Sequence, residues 1–221
     1  MERGEGMKIL LVNGSPRKAM NTTTVLEKIA EGARTAKAEA EVVHLIDYSY
    51  MGCINCFRCK EPGGRHYGRC ALQDELTSIL NKAHDADALV LGSPLYYGTE
   101  SALMRAFMER LWYQYTTFSL EEPTASPRKK AVALVYTMHV KEDELAASEK
   151  SHAIAVSKDV MEFLFAPCEV FLCCDTLHVK DYTKYAMTRW NVPEKLKRRA
   201  EVFPKDLARA LELGSRMARQ K

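Results

Sequence analysis

The chain has 221 residues, 47% of them hydrophobic and 28% charged, which suits one folded α/β domain with a substantial core. Its formal net charge of +3 is too small to argue for nucleic acid as a partner, and the longest nearly apolar stretch, residues 160–174, is broken by Glu162, Pro167 and Glu169, so no membrane span is expected. Seven cysteines, an odd number, follow a polar start without an apolar signal segment; this predicts reduced thiols or metal ligands in the cytoplasm, with Met7 able to serve as the start and the residues before it a frayed extension.

Lys8–Val12 is a short apolar run, the pattern of a parallel strand buried on both faces. A polar loop over residues 13–24 follows. Val25, Leu26, Ile29, Ala30 and Ala33 then recur at helical spacing, and Thr24 with Glu27 forms a capping box that sets the helix start near Thr24. Residues 41–45 read as a second strand, and residues 47–73 as a cysteine- and glycine-rich insertion without a period. Residues 74–86 read as a helix with Leu76, Ile79, Leu80 and Ala83 on one face, and residues 88–91 as a third strand. A second loop, residues 92–98, leads to a helix capped by Thr99 or Ser101 that carries Leu103, Phe107 and Leu111. Residues 113–129, with Pro123 and Pro127, form a surface excursion. Residues 131–136 are strand four, 137–140 a loop, 142–165 largely helical and 169–174 strand five. Residues 175–202 read as irregular, with Lys195–Arg199 a solvated basic run. Pro204 opens a last helix, about residues 204–219, with Leu207, Ala210, Leu211, Gly214, Met217 and Ala218 as one stripe.

Strands thus alternate with helices, which predicts a doubly wound five-stranded parallel sheet with helices on both faces, in a single domain over residues 1–221. The order 2-1-3-4-5 is favoured, with its switch point between strands one and three. The two chemically distinctive loops follow those two strands and converge on that crevice.

In the first loop, Ser15, Asn21, Thr22 and Thr23 bring short polar side chains to a helix N-terminus and Arg17 adds a full charge. Free N–H groups and the helix dipole make this a phosphate cradle; the alternative is a polar loop that only caps the helix. The spacings that cradle a triphosphate or a dinucleotide are absent, which leaves a single phosphate monoester. The second loop places Pro94, Leu95, Tyr96, Tyr97 and Gly98 beside that site, where apolar and aromatic groups can cover a planar ring. A planar ligand with one phosphate points to FMN. Thr137 and His139 follow strand four at the same end of the sheet and join the cofactor-lining set, His139 having a surface role as its alternative. Cys168, Cys173 and Cys174 read as core thiols.

Cys53-x2-Cys56-x2-Cys59 brings three thiols into seven residues, flanked by glycines that allow tight turns, and Cys70 can supply a fourth ligand. Such spacing serves three corners of a cubane cluster in bacterial ferredoxins. Zinc is the weaker metal reading, and a loop of free thiols the alternative to both.

The motifs at Asn13–Arg17 with Asn21–Thr23, at Gly92–Gly98, and the Cys53/Cys56/Cys59/Cys70 loop ending in Asp74-Glu75 resemble the flavodoxin-like NAD(P)H-dependent FMN reductases, in particular the iron–sulfur flavoprotein branch. The resemblance implies a flavodoxin-like fold, FMN held by its phosphate in the first loop, and homodimers or homotetramers. It also implies a [4Fe-4S] cluster on the four cysteines, although the ten residues between Cys59 and Cys70 make a longer final gap than that branch leads one to expect. The expected activity is electron transfer from NAD(P)H, or from a reduced ferredoxin-like carrier, through FMN to a small acceptor such as a quinone, a flavin or oxygen. The flavin carries that chemistry, so no catalytic acid or base is assigned beyond a role for His139. The alternatives are a non-enzymatic carrier between protein partners and a non-redox nucleotide sensor. Phe107, Leu111, Trp112, Tyr113 and Tyr115 exceed what one core stripe needs, and part of that surface is expected to pack against another subunit and close the flavin site, the alternative being that Trp112 only packs under the following loop.

Overall fold

The computed structural model describes residues 6–165 and 167–220. The expected frayed extension before Met7 falls mostly on residues 1–5, outside those described. Five strands form the parallel sheet: β1 (Lys8–Asn13), β2 (Glu39–His44), β3 (Ala88–Tyr96), β5 (Ala131–Thr137) and β6 (Cys168–Cys173), in the order β2-β1-β3-β5-β6. This is the expected order, with one addition. β3 runs on through the supposed second loop to Tyr96 and turns back into a two-residue strand, β4 (Thr99–Glu100), which pairs with it antiparallel. The hairpin turn is Tyr97-Gly98, both at positive φ (52° and 93°), as a two-residue turn with the twist of the strands requires.

Side chains alternate across the sheet because successive Cβ atoms point to opposite faces. Leu10, Val12, Leu89, Leu91, Val132, Leu134 and Tyr136 pack on one face, with residues of α2 (Leu76–Asp85), α3 (Ala102–Tyr115) and α5 (Lys150–Leu164). Ile9, Leu11, Ala88, Val90, Ala133 and Val135 pack on the other, with residues of α1 (Asn21–Thr35) and α7 (Phe203–Met217). α1 and α7 cross closely. A Cβ on Gly32 would lie 1.9 Å from the Leu211 carbonyl oxygen, and one on Gly214 would lie 1.9 Å from that of Ile29, so neither position admits a side chain. Cys168 and Cys174 face the first layer and Cys173 the second. Burial pushes the thiols of Cys168 and Cys173 up to about 12 and that of Cys174 up to about 11, as expected of core thiols.

Several elements differ from the sequence reading. α1 starts at Asn21, one turn before the expected capping box, because Thr24 Oγ1 donates to the Met20 carbonyl within the helix and does not cap it (3.1 Å). The 142–165 region is two helices, α4 (Glu142–Ala146) and α5. α3 extends to Tyr115, so the surface excursion begins only after it. The supposedly irregular 175–202 segment contains α6 (Val192–Glu201), whose Asn191 cap accepts from Glu194 N and whose Pro193 sits in the first turn. The basic run at its centre is a solvated face only in part: Lys197 is exposed, whereas Lys195 is buried against Asp175 and the His139 carbonyl, and Arg198 is half-buried and paired with buried Asp206. Finally, Phe107, Leu111 and Tyr115 are core residues and are unavailable as an interface; Trp112 is half-buried and its Nε1 donates to Met161 Sδ on α5 (2.9 Å). Among the described residues, no helix is long and apolar enough to cross a membrane.

Candidate functional site

Two clefts gather the chemically distinctive residues. The larger, about 570 Å³, lies at the C-terminal edge of the sheet, within the range of about 300–1,000 Å³ usual for small-molecule sites. Its floor is organised by Asn13, the last residue of β1, whose side chain is fully buried. Asn13 Oδ1 accepts from Ser15 N, and its Nδ2 lies within 2.9 Å of both Thr23 Oγ1 and His44 Nδ1. The next residue must be glycine, since a Cβ on Gly14 would meet that of Met104 at 2.5 Å. Ser101 locks the neighbouring loop: its hydroxyl donates to the Gly14 carbonyl (2.6 Å) and accepts from Met104 N at the start of α3. The loops after β1 and β3 are thus cross-tied at the switch point.

Ser15, Arg17, Asn21 and Thr22 line one end of this cleft; Thr23 does not, because its hydroxyl is turned back to Asn13 and the Arg17 carbonyl. α1 opens here without a side-chain cap and without an acidic residue in its first turn. Its first N–H groups are therefore disposed to receive an anion. Pro94, Leu95, Tyr96, Tyr97 and Gly98 of the β3–β4 hairpin form one wall, with Thr137 at the end of β5 and His139 just beyond it; the Thr137 and Thr22 hydroxyls are 2.7 Å apart. No carboxylate is among the described lining residues, whereas Arg17 and Arg189 are.

The remaining wall comes from the 174–202 segment, in which no site residue was expected. Leu177 and His178 accept from Asn21 Nδ2 (2.8 Å) and Arg17 Nη1 (2.5 Å) through their carbonyls, which fastens this segment to the phosphate-type loop. Arg199 Nη1 adds a bond to Asn21 Oδ1 (3.0 Å). The rings of His139, His178 and Trp190 meet at centroid distances of 4.5, 4.6 and 5.1 Å. Burial, with the Lys195 and Arg17 charges, lowers the His178 imidazole below its ordinary value, and its Nδ1 is buried without a hydrogen-bond partner. An orphaned nitrogen, an uncapped helix, two arginines and an aromatic wall form a donor set that fits a planar ligand with a phosphate tail, hence FMN.

The smaller cleft holds all four cysteines of the insertion: Cys53, Cys56, Cys59 and Cys70 line it together with Phe57, Leu72, Arg110, Tyr113 and Gln114. The tight turns of the triplet come from Asn55 and Phe57, both left-handed (φ 54° and 61°), while Gly63 and Gly68 turn the longer gap. One face of α3 holds the loop. Cys53 N donates to Glu109 Oε2 (3.4 Å), Cys70 N to Gln114 Oε1 (3.0 Å), and Cys59 Sγ to the Tyr113 carbonyl (3.7 Å), which Lys60 Nζ also reaches. Burial raises the Cys59 thiol, with Lys60 opposing it. All seven cysteines are free. Among the described residues no three Cys, His, Asp or Glu side chains gather tightly enough for a single metal ion. A donor set of four thiols around one cleft suits a multi-atom centre better than one zinc ion, which needs its ligands converged on a point.

Known proteins share the family and the fold. The family profile described as NADPH-dependent FMN reductase matches residues 7–166. An iron-sulfur flavoprotein of Archaeoglobus fulgidus is 38% identical over 104 residues, 47% of this chain and 48% of that protein. One from Methanocaldococcus jannaschii is 36% identical over 104 residues, 47% of this chain and 51% of its own length. The chain thus spans about half the length of the curated relatives it matches. Among solved structures, an NAD(P)H:quinone oxidoreductase from Methanothermobacter marburgensis superposes with a TM-score of 0.71 at 14% identity, over 98% of this chain and 99% of the other. An azoreductase from Bacillus anthracis gives 0.67 at 17% identity, over 95% and 99%. These two likenesses establish the flavodoxin-like fold.

Proposed function

The chain belongs to the NADPH-dependent FMN reductase family, and from that premise we propose that it is an FMN-dependent oxidoreductase drawing electrons from NAD(P)H or a reduced ferredoxin-like carrier and passing them to a small acceptor such as a quinone. The observation that carries this is the larger cleft, where the uncapped start of α1 and Arg17 face an aromatic and apolar wall with no carboxylate between them. FMN, when bound, supplies acceptance of a hydride from nicotinamide and its onward passage as electrons. Arg17, Ser15 and the first turn of α1 hold the phosphate. Pro94–Gly98 and the His139–His178–Trp190 rings orient the isoalloxazine and exclude water from it. His178, whose imidazole burial lowers below its ordinary value, lines the cleft beside His139 and Trp190. Hydride acceptance by FMN would not require a proton-moving side chain in this lining.

The four cysteines support a second component, a [4Fe-4S] cluster that supplies one-electron exchange between a carrier and the flavin. The support is their shared cleft and the Arg110 Nε–H of α3 that donates to Cys70 Sγ. A homodimer or homotetramer in the cytoplasm completes the reading. The test is anaerobic: purified protein is titrated with FMN and reconstituted with iron and sulfide, and NADPH oxidation is followed with a quinone. Stoichiometric flavin uptake with quinone-dependent turnover is expected, together with about four irons per chain that are lost in Cys56→Ala. Flavin uptake without turnover would favour the non-enzymatic carrier, no flavin uptake a non-redox sensor, and absence of iron would remove the cluster alone.

A further inference from the structure

Arg110 is the largest fully buried side chain of the described residues, its guanidinium completely shielded from solvent. A charge in that position is expensive, and apolar residues of similar volume commonly hold helices together at least as well. Its contacts show what the guanidinium provides. Nη1 pairs with Asp74 Oδ2 (2.5 Å) and reaches the Met51 carbonyl (3.4 Å), Nη2 donates to the Leu72 carbonyl (2.8 Å), and Nε donates to Cys70 Sγ (3.4 Å). These partners sit on both stems of the cysteine loop, so one side chain closes the loop at its base and also directs an N–H at a sulfur.

Gln114 lies one turn further along α3, on the same face. It is 2% exposed and lines the same cleft; its Oε1 takes the Cys70 N–H, but its buried Nε2 interacts with the Tyr115 hydroxyl without forming a well-aligned hydrogen bond. A buried donor without a well-formed bond is costly, a cost that an acceptor arriving with an occupant would remove. Sulfur is the acceptor that the surrounding thiols would bring. N–H donors and positive charge beside cluster sulfurs stabilise the more reduced, more negative state, and are among the groups that set cluster potentials.

We propose that Arg110 and Gln114 are positioning residues for the four-cysteine cleft, holding Cys70 in place and raising the reduction potential of the iron–sulfur centre bound there. The proposal rests on the cluster reading given above. Neither residue is a ligand; each acts through Cys70 and the charge around it.

The test compares wild type, Gln114→Leu and Arg110→Lys after anaerobic reconstitution, reading iron content, far-ultraviolet circular dichroism and the cluster midpoint potential from a spectroscopic redox titration. Arg110→Lys keeps the charge but removes the Nε–H at the sulfur, and Gln114→Leu removes the buried donor. Both variants are expected to fold and to keep wild-type iron content, with midpoint potentials shifted negative. Variants that retain iron at the wild-type potential would overturn the proposal while leaving the cluster intact. Loss of iron in Arg110→Lys with an unchanged potential in Gln114→Leu would reduce Arg110 to a folding role and overturn it too. Wild type that takes up no iron would remove the cluster reading and this inference with it.

Discussion

The flavin cleft is delivered by the ends of β1, β3 and β5, whereas the cysteine cleft is delivered by a loop pinned to one face of α3. In the first, backbone position is fixed by the sheet ladder, and each lining side chain needs only to point the right way. In the second, position depends on a handful of side chains, of which Arg110 touches both stems of the loop. A site built on strand ends can therefore lose a side chain and keep its shape. A site built on a buried clamp is vulnerable to any change that leaves the clamp's charge unpaired.

The largest expected effect lies at the clamp. Asp74 supplies the carboxylate paired with fully buried Arg110 and is itself largely buried. Asp74→Asn keeps a hydrogen-bonding oxygen for Leu76 N but leaves the guanidinium without its counter-charge. Removing one partner of a buried pair costs on the order of 3 kcal/mol, to be read as a lowered midpoint in urea unfolding. A loss below about 1 kcal/mol, the scale of an exposed pair, would show that the cysteine loop does not depend on this pair and would erase the contrast.

A smaller effect, of a different kind, is expected at Arg17. It is exposed at the mouth of the flavin cleft and bonds the His178 carbonyl. Arg17→Ala should leave the unfolding midpoint close to wild type while weakening FMN by about 1.5–3 kcal/mol, the range for a hydrogen bond to a charged group. Isothermal titration with FMN and with riboflavin separates the contributions, since riboflavin lacks the phosphate and should be nearly unaffected. Equal weakening of both ligands would remove Arg17 from the phosphate site.

The sheet was legible in the sequence because β1, β3 and β5 are apolar runs buried on both faces, while the edge strands β2 and β6 keep enough valine and leucine to read as strands despite their exposed glutamates. Its order followed from the switch-point rule. The hairpin after β3 was hidden because its left-handed turn opens on Tyr97, where asparagine, aspartate or glycine is the usual signal. α6 carried the start signals of Asn191 and Pro193, yet its lysines and arginines suggested a solvated face. Lys195 is buried because Asp175, 20 positions away, meets it in space, and Arg198 is half-buried against Asp206 of the next helix. His178 and Trp190 were missed for the same reason: they come from a segment with no periodicity and acquire a shared role only where it folds back on the loop after β1. The cysteine spacing gave the loop away, but the face of α3 that holds it was not visible, since Arg110 and Gln114 look in sequence like the polar side of an amphipathic helix.

The crossing of α1 and α7 at Gly32 and Gly214 joins parts of the chain about 180 positions apart. Closing a loop of that length costs on the order of 5 kcal/mol of chain entropy, about 1.5 kcal/mol more than closing the roughly 30-residue loop between paired β1 and β2. Contacts of such separation are rewarded only after the intervening chain is ordered, so docking of α7 belongs late on the folding route. The segment that walls the flavin cleft leads directly into α7 and should complete the cleft in the same step. Leu213→Ala is expected to speed unfolding with little change in the folding rate, a φ-value near zero; a value near one would place α7 in the folding nucleus.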